Sequence, residues 1–222
     1  MDYEAIIFDL DGTLINTIED IADSMNEILK KYNRETYSYT EYKKLVGSGF
    51  NNLIKDTFKQ DIEDDDLVKI RKELDLEYSK RYLNKSKPYR NITKLVEVLS
   101  DNNILLAVNT NKKEEYSIEI LAKLFPTINF ISIVGQGDRF NIKPNPEGAL
   151  SIIDIFGKGK DKVLYVGDSD VDMHTGRNAG VKTVGVSWGF RGKEELINAG
   201  ANYIVNDPFE ILDILNIKMV ED

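Results

Sequence analysis

Two carboxylates stand two residues apart at the end of a short apolar run, in Ile6-Ile7-Phe8-Asp9-Leu10-Asp11-Gly12-Thr13-Leu14. Three more segments carry reactive or charged groups: Thr110-Asn111-Lys112, Lys143-Pro144-Asn145-Pro146 and Gly167-Asp168-Ser169-Asp170-Val171-Asp172. The chain has one histidine, His174, and no cysteine. A Ser-His-Asp triad would have to use that histidine, and a multi-histidine metal site is impossible. Thiolate nucleophiles, disulfides and cysteine-zinc sites are excluded. Catalysis in this chain rests on carboxylates, lysines and hydroxyls. Each segment alone is also an ordinary turn or helix cap, since Asp, Gly, Ser and Thr are common there, and a lysine is usually solvated surface. Their meaning depends on whether the fold brings them together.

Short apolar runs recur at 5–8, 104–108, 130–134, 163–166, 183–186 and 203–205, rich in Ile and Val and continuous rather than alternating. Such runs read as strands buried on both faces. Helical patterns follow near 91–101, 113–124, 146–156, 174–179, 193–199 and 208–216. The alternation predicts an α/β fold: a doubly wound, Rossmann-like parallel sheet with helices on both faces. In such sheets ligands bind beyond the carboxyl ends of the strands. Asp9 and Asp11 follow the first run, Thr110 to Lys112 the second and Asp168 to Asp172 the fourth, with Lys143 between the third and fourth. Four separated segments are thus expected at one sheet edge.

Residues 17–85 break the rhythm, with no strand pattern. Ile18, Ile21, Ala22, Met25, Ile28, Leu29 and Tyr32 form one helical stripe, and Leu67, Ile70, Leu74 and Tyr78 another. The acids at 63–66 suit the start of that second helix. The predicted division is a core of 1–16 plus 86–222 and a small helical insertion at 17–85, with hinges near 16–17 and 85–88.

The chain has 222 residues, of which 41% are hydrophobic and 30% charged, as in a globular protein. A net charge of −9 argues against nucleic-acid binding, which depends on neutralising phosphates. No apolar run approaches the roughly 18 residues of a membrane span. Acids in Met1-Asp2-Tyr3-Glu4 stand where a signal peptide carries basic residues, so the cytoplasm is the expected location.

The order and wording of the four segments resemble the haloacid dehalogenase superfamily, specifically its phosphatases of the phosphoglycolate phosphatase type. Similarity extends through Arg177-Asn178-Ala179-Gly180 and Asn206-Asp207-Pro208. The resemblance implies hydrolysis of a small phosphorylated metabolite, with 2-phosphoglycolate the best single guess, by a monomer or homodimer. Asp9 would be the nucleophile, since a carboxylate is already ionised at neutral pH. Asp11 would protonate the leaving group and then activate water, with a pKa raised by its neighbours. Gly12, Thr13 and Asn111 would contact substrate, with Thr110 and Lys143 assisting catalysis. Four aspartates around a phosphate call for a hard cation, because two unit charges about 4 Å apart repel by roughly 4 kcal/mol at an effective dielectric of 20. The implied ion is Mg²⁺, held by Asp9, the Asp11 carbonyl and Asp168, with Asp172 in support.

In that superfamily a helical insertion caps the site, and Val46-Gly47-Ser48-Gly49 followed by Leu53-Ile54 resembles its substrate loop. Gly47, Ser48 and Gly49 are therefore expected at the substrate. The chain departs from relatives at Lys87-Pro88-Tyr89-Arg90-Asn91, where Pro-Gly is common, and at Asn109, a polar residue in an apolar strand. Related sugar phosphomutases usually carry a serine-arginine pair in the cap loop, and no arginine stands there. A phosphomutase and a pyrophosphate or nucleotide phosphatase remain alternatives. A phosphoacceptor receiver domain is a more distant one, since it lacks the insertion.

Overall fold

The computed structural model describes residues 3–59 and 62–218. Met1 and Asp2, part of the expected signal-free N-terminus, lie outside them, as do 60–61 of the expected insertion and 219–222 of the expected core. β1 (Ala5–Phe8) lies inside a six-stranded sheet of order β5-β4-β1-β6-β7-β8. Its partners are β4 (Leu105–Lys113), β5 (Phe130–Gln136), β6 (Val163–Gly167), β7 (Lys182–Val186) and β8 (Tyr203–Val205), and every pairing is parallel. Chain order runs outward from β1 in one direction and then restarts on its other side at β6. That reversal makes a crevice at the carboxyl ends of β4, β1 and β6.

Side-chain alternation explains why the central strands are continuously apolar. Ile6 and Phe8 enter one core with Leu106, Val108, Leu164 and Val166, while Ala5 and Ile7 enter the opposite one with Ala107, Val163 and Tyr165. Helices α5 (Ile92–Asp101), α6 (Glu114–Leu124), α7 (Glu147–Phe156), α8 (Asp170–Ala179) and α9 (Lys193–Asn198) lie between the strands in sequence, and α10 (Glu210–Ile214) follows β8. The edge strands differ from expectation: β5 has only Val134 buried, because nothing pairs with its outer side. β4 also runs past the apolar stretch to Lys113, so Thr110, Asn111 and Lys112 lie in the strand, within an irregularity in its pairing with β5 between Asn109 and Lys113.

Helices α1 (Ile18–Lys31), α2 (Tyr39–Leu45), α3 (Gly49–Thr57) and α4 (Asp64–Ser79) fill the inserted segment. Their apolar faces make a separate cluster, joined from the core by Phe190 alone among its buried members. The two connections are tied together, because β2 (Ile15–Asn16) pairs antiparallel with β3 (Lys87–Pro88). Asp20 of α1 reinforces this tie by accepting from the Lys85 amide at 3.0 Å, the Ser86 amide at 2.8 Å and the Ser86 hydroxyl at 2.7 Å.

The departures from the family pattern have local explanations. Asn91 takes a left-handed conformation at φ 66°, and its amide donates to Asp207 at 3.0 Å. Asparagine tolerates that conformation better than most residues, which is how Pro-Gly is replaced. Asn109 is buried and donates to the Tyr165 hydroxyl at 3.2 Å. Among the described residues no helix is long and apolar enough to cross a membrane.

Candidate active site

Asp9 leaves the end of β1 with its amide bonded to the Val166 carbonyl at 2.8 Å, so the backbone of β6 fixes its position. Its carboxylate accepts from Lys143 Nζ at 2.6 Å, and the same ammonium donates to Asp172 at 2.7 Å. Asp172, in the first turn of α8, turns its other oxygen back to the amide and hydroxyl of Ser169. Asp168, just past β6, accepts from the Phe190 amide at 2.6 Å. Carboxylate oxygens of Asp9, Asp168 and Asp172 all lie within 4.8 Å of one another, and all three residues are buried. The sheet edge therefore gathers segments separated by more than 100 positions in the chain.

The electrostatics of this cluster are unfavourable without a counterion. Burial pushes Asp9 up to about 7, with Lys143 opposing and Asp172 adding to the rise. Burial also holds Asp168 well above the usual carboxylate range, with the charges of Asp172 and Asp9 contributing. Lys143 stays firmly protonated: burial alone would lower it, and the flanking carboxylates more than reverse that. One ammonium serves two carboxylates, and a third faces them unpaired. The donor set consists of carboxylate oxygens, and Asp9 and Asp168 each commit one oxygen to a protein donor. Their second oxygens fit a hard divalent cation, which prefers oxygen ligands.

Asp11 sits two residues on, half-buried, at the mouth of the cluster. Thr17 Oγ1 donates to one of its oxygens at 2.7 Å and Lys112 Nζ to the other at 2.9 Å. Both oxygens thus act as acceptors here, and donating a proton to a substrate requires one of these bonds to exchange. Gly12, at φ 91°, brings the backbone against Asp168; a Cβ there would lie 2.3 Å from Asp168 Oδ2.

A cavity of about 40 Å³ opens above these groups between the sheet edge and the inserted helices. Asp9, Asp11, Thr110, Lys143, Gly47 and Gly49 line it, whereas Gly12, Thr13 and Ser48 do not. Thr13 is fully buried, and its hydroxyl has no hydrogen-bond partner among the described residues. Thr110 Oγ1 accepts from the Lys112 amide at 3.2 Å, leaving its proton for a ligand. Asn111 also lines the cavity. Its amide nitrogen donates to the Gly47 carbonyl at 2.9 Å and the Lys143 carbonyl at 3.2 Å, and its oxygen accepts from the Lys143 amide at 2.8 Å. These bonds position Lys143 and the glycine loop at the cavity wall.

Several residues at the site were not singled out by sequence. Lys112 was visible as the third residue of a motif but had no assigned partner. Tyr78 reads as one member of an apolar stripe, yet it lines the cavity. Arg191 donates to the carbonyls of Lys43 at 2.6 Å and Val46 at 3.1 Å, fastening the inserted helices to the loop after β7. Only its place in Trp188-Gly189-Phe190-Arg191-Gly192, after a strand end, could have signalled it.

Known proteins carry the same organisation. Residues 6–186 match the family model of haloacid dehalogenase-like hydrolases. A phosphoglycolate phosphatase of Aquifex aeolicus (strain VF5) is 34% identical over 221 residues, covering 97% of this chain and 98% of that one. Pyrophosphatase PpaX of Halalkalibacterium halodurans is 30% identical over 219 residues, covering 98% and 99%. The crystal structure of a predicted phosphoglycolate phosphatase from Haemophilus somnus 129pt shares the fold with a TM-score of 0.89 at 28% identity, covering 97% of this chain and 99% of that one. Since the match runs from the strand that presents Asp9 to the end of β7, the chain belongs to the haloacid dehalogenase-like hydrolases.

Proposed function

We propose that this protein is a Mg²⁺-dependent phosphatase of small phosphate compounds, with 2-phosphoglycolate the first substrate to test. The observation that carries this reading is the Asp9 carboxylate, aimed into the cavity from a rigid strand end and bonded to Lys143 at 2.6 Å. In the first step a carboxylate oxygen of Asp9 attacks phosphorus, and the bond from phosphorus to the leaving oxygen breaks. Asp11 supplies the proton that the leaving oxygen needs. In the second step Asp11 takes a proton from water, the water oxygen attacks phosphorus, and the bond to Asp9 breaks to release inorganic phosphate. Thr110 Oγ1 and Lys143 hold the transferring oxygens throughout. Asp9, Asp168 and the Asp11 carbonyl would hold Mg²⁺, with Asp172 behind them. The ion would supply charge neutralisation where carboxylates and phosphate oxygens meet.

The relatives named phosphoglycolate phosphatase support the monoester reading, and the one named pyrophosphatase makes pyrophosphate the second substrate to test. Phosphate release from a panel of phosphorylated metabolites, by wild type and Asp9→Asn, is the direct check. Asp9→Asn should lose about 10³-fold or more in kcat; near-normal hydrolysis would remove Asp9 from the nucleophile's role. Chelation should abolish turnover and added Mg²⁺ restore it, so full activity in chelator would exclude the metal.

A further inference from the structure

Lys112 is an unusual lysine. Its side chain is only 2% exposed, and its ammonium makes one hydrogen bond among the described residues, to Asp11 Oδ2 at 2.9 Å. An ammonium carries three donors, so two remain for the neighbouring Tyr78 hydroxyl and for a ligand. The ring of Tyr78 lies 4.8 Å from that ammonium. Tyr78 is itself fully buried, and among the described residues its hydroxyl faces Lys112 and has no other hydrogen-bond partner. Native proteins rarely leave a buried hydroxyl unsatisfied unless something absent from the chain completes it. Both residues line the cavity.

Other basic groups of the cavity are engaged or face solvent, as Lys113 does at 42% exposure and 3.9 Å from Glu115. Lys143 holds Asp9 and Asp172. Arg71 donates to Asp75, Asn51 and Gln136. Arg191 holds the carbonyls of Lys43 and Val46 and pairs with Glu195. Lys112 and Tyr78 are thus a pair with donors to offer, and they stand beside Asp11, the group that faces the leaving oxygen in the proposed reaction. Whatever hangs from that oxygen lies against them.

We infer that Lys112 and Tyr78 form a leaving-group subsite that selects substrates bearing an anionic oxygen group next to the scissile bond. This rests on the phosphatase reading and adds its specificity. A lysine only donates, and a tyrosine hydroxyl donates readily, so the matching ligand is an acceptor-only anion. A carboxylate, as in 2-phosphoglycolate, and the second phosphate of pyrophosphate share that chemistry. Because Tyr78 belongs to α4 and Lys112 to β4, the subsite exists only while the inserted helices rest on the core. The substrate's charged end would then help hold the cavity shut.

The test compares kcat/KM of the purified full chain for 2-phosphoglycolate, pyrophosphate and ethyl phosphate, the last matching glycolate in carbon number without its charge. Wild type should prefer at least one anionic substrate over ethyl phosphate by about 100-fold, since a site built to pair a polar group discriminates strongly against its absence. The substrate so preferred identifies the source of the anion. Tyr78→Phe should reduce the preference by about tenfold, the effect of one lost hydrogen bond, and Lys112→Met by more. Tyr78→Phe keeps the ring and the packing, so it decides the matter even if Lys112→Met fails to fold. A wild-type preference below about threefold, or one unchanged by Tyr78→Phe, overturns the subsite and leaves the phosphatase standing. Release of phosphate from none of the three overturns both.

Discussion

Asp168 shows how a single side chain sets stability against chemistry. It is 2% exposed, faces two other carboxylates and receives one amide proton, from Phe190. Burying a charge that lacks a partner costs several kcal/mol, and replacing it with a neutral group of the same shape is often stabilising. Asp168→Asn keeps the acceptor for Phe190 and removes the charge. The metal-free variant should therefore unfold a few degrees above metal-free wild type, as about 1–2 kcal/mol implies for a chain of this size. Its phosphatase activity should vanish. Thermal unfolding in chelator reads the first outcome, and an unchanged or lower midpoint would refute the charge argument. At this scale the sequence was most legible where an apolar strand runs directly into a charged residue, as at Phe8-Asp9 and Gly167-Asp168. Tyr78 was not legible, because an aromatic at helical spacing looks the same whether its hydroxyl meets solvent, core or ligand. Lys112 was equally hidden, since its burial depends on a helix some 34 positions earlier in the chain.

At the scale of elements, the loop after β7 links the carboxylate cluster to the inserted helices. The Phe190 amide bonds Asp168, its ring enters the hydrophobic cluster of α1 to α4, and Arg191 holds the carbonyls that precede Gly47. Arg191→Ala should raise KM by about three- to tenfold, with a smaller change in kcat, because it removes hydrogen bonds by which a charged donor holds the inserted helices. Initial-rate kinetics would show this, and an unchanged KM would mean that the loop does not restrain the cap. The sheet itself was readable from alternation of apolar runs and helical patterns. β4 ran longer than expected because its last residues are polar although buried, and hydrophobicity cannot mark buried residues whose polar groups are partnered. The first turn of α8 was missed for a similar reason: Asp170 and Asp172 look like loop residues until Asp172 is seen bonding back to Ser169.

The sheet buries a core on each face and α1 to α4 share a further apolar cluster, which depends on surface charge as well. Glu73 of α4 is held below its usual pKa chiefly by a hydrogen bond from Lys31 of α1, 2.9 Å away. Glu77 is likewise lowered, first by Lys80 and then, after the opposing cost of burial, by Arg81. A carboxyl whose folded pKa is depressed contributes stability above its unfolded value, near 4.3 for glutamate, and loses it as pH falls through the folded value. The thermal midpoint should therefore fall between about pH 5 and pH 3, and Lys31→Met should flatten part of that slope. The effect should be modest, because the Lys31–Glu73 pair is solvent-facing; an unaltered slope would show that the pair does not hold α1 to α4. The insertion was legible as a body from its helical stripes, but its completion by Phe190 was not, since no periodicity connects residue 190 to residues 18–78.

The central place of β1 has a consequence for how the chain is made. Ala5–Phe8 pairs with β4 on one side and β6 on the other, and these begin at Leu105 and Val163. During synthesis the apolar strand that carries Asp9 emerges before β4 and β6 and has no sheet partner until β4 has emerged. The inserted helices, whose contacts are mostly local apart from Phe190, can collapse in the interval. The strand bearing the nucleophile is thus translated ahead of both its partners, and it keeps an unpaired sticky edge on the nascent chain until Val163–Gly167 has been added.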